Sequence, residues 1–199
     1  MFEELYEPVP DTAKFLERIG LSGFVPSIDL SSLNTMIKAY RETIPFENLS
    51  VWYERKTPSL ATADLYKKMI IGRRGGYCFE LNGLFCAFLK TLGFDIYSIA
   101  VFVREDVDGL TDLGHRASIC TLGRRKYLVE VGYGGSSPDY ALPLDGEIIG
   151  DFFIREEKNE YTVYKIVDED KELQKGNGRF LVNRQISVAD SDYYNAAIR

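Results

Sequence analysis

Apolar residues recur every three or four positions through the first half of the chain and every second position through much of the rest. Phe15, Leu16 and Ile19 share one helical face, with Asp11 placed to cap that helix and Gly20 to stop it. Leu33, Met36, Ile37 and Tyr40 mark a second helix, which Asp29 or Ser31 can start and Pro45 ends. The stretch SVWYERK reads as extended, and a third helix is expected near Thr62 to Ile70, carrying Leu65, Tyr66, Met69 and Ile70. The clearest stripe is Leu81, Leu84, Phe85, Phe88, Leu89 and Leu92, closed by Gly93; it predicts a buried central helix. From Tyr97 the period falls to two. IYSIAVFVR, HRASICTLG, RKYLVEVGYG, GDFFIREE and EYTVYKIV are rich in β-branched and aromatic residues and predict antiparallel strands. A charged stretch, DEDKELQKGNG, then leads to a last expected strand, FLVNRQIS. Helices followed by strands predict an α+β fold: an N-terminal helical bundle over residues 1–94, an antiparallel β-barrel or sheet over 95–170, and a short segment over 171–199.

Charge narrows the choice of partner. The formal net charge is −6 and the pI about 5.0, which argues against a nucleic acid or an anionic membrane, since either needs a basic face. The N-terminus, MFEELYEPVP, has no apolar core of a secretory signal, and no run of eighteen apolar residues occurs. Three cysteines without metal-ligand spacing predict a reducing compartment, with the cytoplasm expected. A single histidine, His115, rules out a multi-histidine metal site, and no metal is expected.

Three residues carry candidate chemistry. Cys78 follows Gly75–Gly76 and opens the central helix, where orphan N–H groups and the positive end of the helix dipole favour a thiolate. Position alone leaves it open whether Cys78 is a nucleophile or a packing residue; Cys86 and Cys120 read as packing residues. His115 begins one strand and Glu130 lies on the next. With Gly123 and Arg124 as a two-residue loop, His115 falls diagonal to Glu130, within reach across the strands. A carboxylate inside the apolar run YLVEVGYG is costly to bury without a partner, and the imidazole supplies one.

These residues also carry a family resemblance. R-G-G-Y-C-F-E-L-N (Arg74 to Asn82) resembles the active-site signature of the arylamine N-acetyltransferases, and I-P-F-E-N-L (Ile44 to Leu49) resembles their second signature. Gly114–His115 and Leu128 to Gly134 resemble their histidine and acid segments, with Glu130 where the family usually has aspartate. The resemblance implies a helical domain, a β domain and a C-terminal lid, here reduced to residues 171–199, in a papain-like cysteine-enzyme arrangement. It implies ping-pong transfer, in which Cys78 takes an acetyl group from acetyl-CoA and passes it to an arylamine or arylhydrazine nitrogen. His115 would act as base and Glu130 would orient it. By the same resemblance Phe46 and Tyr133 line the acceptor pocket, Gly134 leaves room for the donor, and Glu47 pairs with Arg74 to brace the helix start. Two further readings stay open: an amide synthase or thioester or peptide hydrolase using the same Cys-His-Glu set, and a non-catalytic small-molecule binder. The binder differs from the enzymes in lacking an activated thiolate.

Overall fold

The computed structural model describes residues 5, 7–103, 114–157, 160–166 and 173–180. Five α-helices come first: α1 (Thr12–Arg18), α2 (Leu30–Thr43), α3 (Leu49–Trp52), α4 (Thr62–Tyr66) and α5 (Cys78–Thr91). Asp11 caps α1 by accepting from Lys14 N at 2.9 Å, and Asp29 caps α2 by accepting from Ser32 N at 2.7 Å. Of the two starts open to α2, Asp29 is therefore the one used. Helix α4 runs without a break into a π-helical turn, Lys67–Ile71, which a periodicity of 3.6 does not anticipate.

The stretch expected to be extended instead begins inside α3, which covers Leu49–Trp52. Glu47 accepts from Leu49 N at 2.7 Å, satisfying one orphan donor of this single turn, and none of its residues is buried. No apolar stripe marks this helix; a hydrogen bond from Leu49 N to the Glu47 side chain, one residue before the N-cap Asn48, accompanies its start.

Among the described residues seven strands form one antiparallel sheet in the order β4-β3-β2-β1-β7-β6-β5. They are β1 (Asp95–Val103), β2 (His115–Leu122), β3 (Arg125–Val129), β4 (Leu142–Pro143), β5 (Phe152–Glu157), β6 (Glu160–Ile166) and β7 (Leu173–Phe180). No ladder joins the edge strands β4 and β5 among the described residues, so the barrel expected as one option is an open sheet. Edge β4 is two residues long and ends in Pro143, which has no N–H to extend a ladder. The last strand also differs from expectation. β7 covers LQKGNGRF, a stretch read as charged connector, and pairs with both β1 and β6. Backbone groups alone make those ladders, so the side-chain pattern did not reveal them. This strand falls within 171–199, where a lid was expected; residues 181–199, including most of FLVNRQIS, lie outside the described residues.

The expected stripe of α5 is buried from Leu81 to Leu89, with Leu81, Leu84, Phe85, Phe88 and Leu89 each at most 1% exposed, while Leu92, the C-cap, is partly buried. They share one core with Phe15 of α1, Tyr40 of α2 and the sheet residues Ile96, Cys120, Tyr127 and Val129. Phe15 stacks on Phe88 with ring centroids 3.8 Å apart. Cys86 and Cys120 are free thiols inside this core, as packing residues are. The opposite face of the sheet holds a second cluster around Ile99, Ile119, Leu142 and Ile154. Helix α5 is thus clamped between the other helices and the sheet, which sets its N-terminus against the ends of β2 and β3. Among the described residues no helix is long and apolar enough to cross a membrane.

Candidate active site

Cys78 is the first residue of α5 and is half-buried. The loop before it is held from one side by the segment 45–47: Gly76 N donates to Pro45 O at 3.3 Å and Glu47 N to Gly76 O at 2.9 Å. A Cβ at position 75 would lie 2.0 Å from Pro45 O, so only glycine permits this approach. The Ile44 to Leu49 and Arg74 to Asn82 stretches are therefore two halves of one loop pair. From within the helix, Glu80 reaches back to accept from Tyr77 N at 3.1 Å, the reciprocal arm of a capping box.

The sheet supplies the other two residues. Leu122 pairs with Arg125 across Gly123–Arg124, and the ladder continues to Ser118 opposite Val129. That is the expected register, and it places His115 diagonal to Glu130 just beyond the ladder's end. His115 Nε2 lies 2.5 Å from Glu130 Oε2. The Cys78 side chain acts on the imidazole and favours its protonated form, and since Nε2 is engaged by Glu130, Nδ1 is the nitrogen left to face the sulfur. Cys78 Sγ is 4.0 Å from Gly114 O.

Glu130 is fixed by three donors. Its Oε1 accepts from Asn82 Nδ2 at 2.9 Å and from Gly132 N at 2.7 Å, while Oε2 faces His115. Asn82 also donates to Cys78 O at 3.2 Å and accepts from Val131 N at 3.0 Å, so one buried amide ties the helix to the strand end. Sequence reasoning assigned Asn82 no role. The signal was a polar residue four positions after Cys78, on the same face of an otherwise apolar helix. Arg41 of α2 adds a further hold, donating to Glu130 O at 3.3 Å and to Ser137 Oγ.

Electrostatics follow from this packing. Burial on its own disfavours an imidazolium at His115, but the Glu130 carboxylate and the hydrogen bonds to Cys78 and Glu130 outweigh it and push His115 up to about 10. Burial likewise works against ionised Glu130, and His115, Asn82 and the Gly132 N–H together hold it below the usual carboxylate range. The arrangement favours a charged pair beside the thiol, the state in which His115 has taken a proton.

The remaining expected residues fall as follows. Phe46 is half-exposed, with its ring over Gly134, and Tyr133 stands edge-to-face with His115 at 5.5 Å between centroids. The space at Gly134 is thus taken up by Phe46. Arg74 meets Glu47 at 3.0 Å, and also Glu54 at 3.1 Å and Ser50 Oγ at 3.2 Å. That pair organises the α3 segment; the start of α5 is held by Glu80. Among the described residues no group of His, Cys, Asp or Glu is arranged to hold a metal ion.

Tyr77 contributes a cost. Among the described residues its hydroxyl is the one buried side-chain polar atom with no hydrogen-bond partner. An unsatisfied buried hydroxyl costs about 1–3 kcal/mol. Tyr77→Phe is expected to raise the unfolding free energy by about 1 kcal/mol in chemical denaturation. A loss of stability would show that the hydroxyl is satisfied in solution.

Known proteins resemble this chain in sequence and in fold. The model of an N-acetyltransferase family matches residues 29–186. The arylamine N-acetyltransferase of Mycolicibacterium smegmatis is 37% identical over 140 residues, covering 68% of this chain and 50% of that protein. The structure of the arylamine N-acetyltransferase from Salmonella typhimurium superposes with a TM-score of 0.85 at 25% identity, over 95% of this chain and 69% of that one. An arylamine N-acetyltransferase from Bacillus cereus, described as having a unique Cys-His-Glu catalytic triad, gives 0.83 at 27% identity, over 96% of this chain and 77% of that one. The chain spans about half the length of the curated relatives it matches. By the match over residues 29–186 and these likenesses, the chain belongs to the arylamine N-acetyltransferase family.

Proposed function

We propose that this protein transfers an acetyl group from acetyl-CoA to an arylamine or arylhydrazine nitrogen through a thioester on Cys78. The observation that carries the reading is the unbroken chain from Cys78 to the His115 imidazole to the Glu130 carboxylate, at the start of a helix. The Bacillus cereus relative, described with a Cys-His-Glu triad, bears the same three residue types. Residues 1–94 supply the nucleophile and 95–170 the base and acid, a papain-like division of labour.

In the first half-reaction His115 holds the thiol proton and the Cys78 sulfur attacks the thioester carbonyl. The carbon–sulfur bond to coenzyme A breaks, and the departing thiolate takes the proton from His115. In the second half the amine attacks the acetylated sulfur's carbonyl, gives its proton to His115, and Cys78 leaves as thiolate. Exchange between two thioesters is close to energetic balance, so two accessible steps replace one difficult displacement. Backbone N–H groups at the start of α5 are placed to stabilise the tetrahedral oxyanion. Phe46 and Tyr133 wall the acceptor side, and an uncharged aromatic amine suits them.

Intact mass after incubation with acetyl-CoA tests this. The wild-type chain is expected to gain one acetyl group and lose it when an arylamine is added; Cys78→Ser is expected to gain none that the amine discharges. No gain in the wild type, despite rapid alkylation of Cys78, would replace acetyl-CoA with another acyl donor.

A further inference from the structure

Two paired charges near the start of α5, one buried and one partly buried, take no part in the transfer chemistry. Glu80 is 1% exposed, and besides capping Tyr77 N it accepts from Lys68 Nζ at 2.7 and 2.9 Å. The lysine side chain is itself 17% exposed. It is delivered by the π-helical turn Lys67–Ile71, and such wide turns recur at functional sites. Its Nζ also lies 3.7 Å from Glu47 Oε1, next to Phe46.

Capping alone explains neither charge. Glutamine at the third helical position closes a capping box as well as glutamate does, and a neutral cap needs no cation. A buried ion pair is poor value for stability, since desolvation offsets most of the attraction. Its place suggests a different use. Glu80 lies in the same first turn as Cys78, where the helix N-terminus favours a thiolate. An uncompensated carboxylate there would oppose that field. Burial pushes the Glu80 carboxyl up, and the Lys68 contacts work against that shift.

We propose that Lys68 is a positioning residue for the nucleophile: it cancels the charge of Glu80 while holding Glu80 as the cap, and so keeps the field at the start of α5 favourable to an anionic sulfur during attack. This rests on reading Cys78 as the nucleophile. Among the described residues, the other charged or titratable groups acting on this turn are His115 with Glu130 behind it and Arg116 from the sheet, Tyr77 at the helix start, Tyr40 of α2, and Glu47. Lys68 is the one whose ammonium contacts Glu80 directly.

The test is iodoacetamide alkylation of Cys78 against pH, followed by mass on the full chain. It needs neither acyl donor nor acceptor, so it can fail independently of the transferase reading. Lys68→Met is expected to slow alkylation roughly ten-fold near pH 6.5, with little change near pH 9.5. The double variant Lys68→Met/Glu80→Gln is expected to return to within about three-fold of wild type, because the cap remains, position 80 carries no charge and Glu47 keeps its Arg74 partner. If the single variant fails to fold, the double variant carries the test, having no charge left at position 80. A wild-type pH profile in Lys68→Met, or a double variant that is also ten-fold slow, overturns the proposal.

Discussion

Replacing His115 with glutamine is expected to lower acetyl transfer by about four orders of magnitude while leaving the fold intact. Glutamine can still donate to Glu130, but it cannot take a proton from Cys78, and the chain has no second imidazole to substitute. Single-turnover acetylation followed by mass reads the loss directly; activity within ten-fold of wild type would remove His115 from the chemistry. The same variant has a thermodynamic signature. His115 is raised from 6.5 to about 10 in the folded chain, so its contribution to stability is full below about 6.5 and is lost as pH climbs through about 10. Glu130 is shifted the other way, so the contribution also falls as pH drops through the lowered carboxylate value. The stability gap between wild type and His115→Gln is therefore expected to be widest at about pH 5–6 and to close toward pH 10. A gap that stays constant over that range would mean a neutral imidazole in the folded state.

Gly132→Ala is the second large effect. A Cβ there would lie 2.7 Å from Asn82 Nδ2, 3.0 Å from Leu81 Cβ and 3.1 Å from Cys78 Cα. The last two belong to the rigid body of α5, so the strand end must move away from the helix. Overpacking of this kind costs about 1–3 kcal/mol. The movement also falls on the residue whose N–H holds Glu130 and on the Asn82 bridge. A displacement near 1 Å between nucleophile and base costs on the order of a hundred-fold in rate. Turnover and chemical denaturation together check this. Full activity with full stability would mean that the contact between strand end and helix is looser than the structure indicates.

Much of the site was legible because it rests on local rules. A two-residue loop sets the register of its hairpin, so Gly123–Arg124 alone placed His115 diagonal to Glu130. A 3.6-residue stripe set α5 and put Cys78 at its start. Elements that form for reasons other than a side-chain pattern were missed. Helix α3 is a single turn with no buried residue, its first N–H held by Glu47, and β7 depends on backbone ladders to two neighbours. The π turn shifts one residue within a helix and so delivers Lys68 to Glu80, a step that apolar periodicity does not register.

The sequence by itself determined the elements that carry Cys78, His115 and Glu130, and the order in which they are laid out, because caps, loop lengths and apolar periods act over a few residues. Only the tertiary structure decided that the helix start meets the hairpin. That meeting depends on which face of the sheet α5 covers and how closely Gly132 lets it approach, and both follow from packing between residues some fifty positions apart. The Asn82 bridge, the Glu130 clamp and the Lys68–Glu80 pair exist only once that packing is complete.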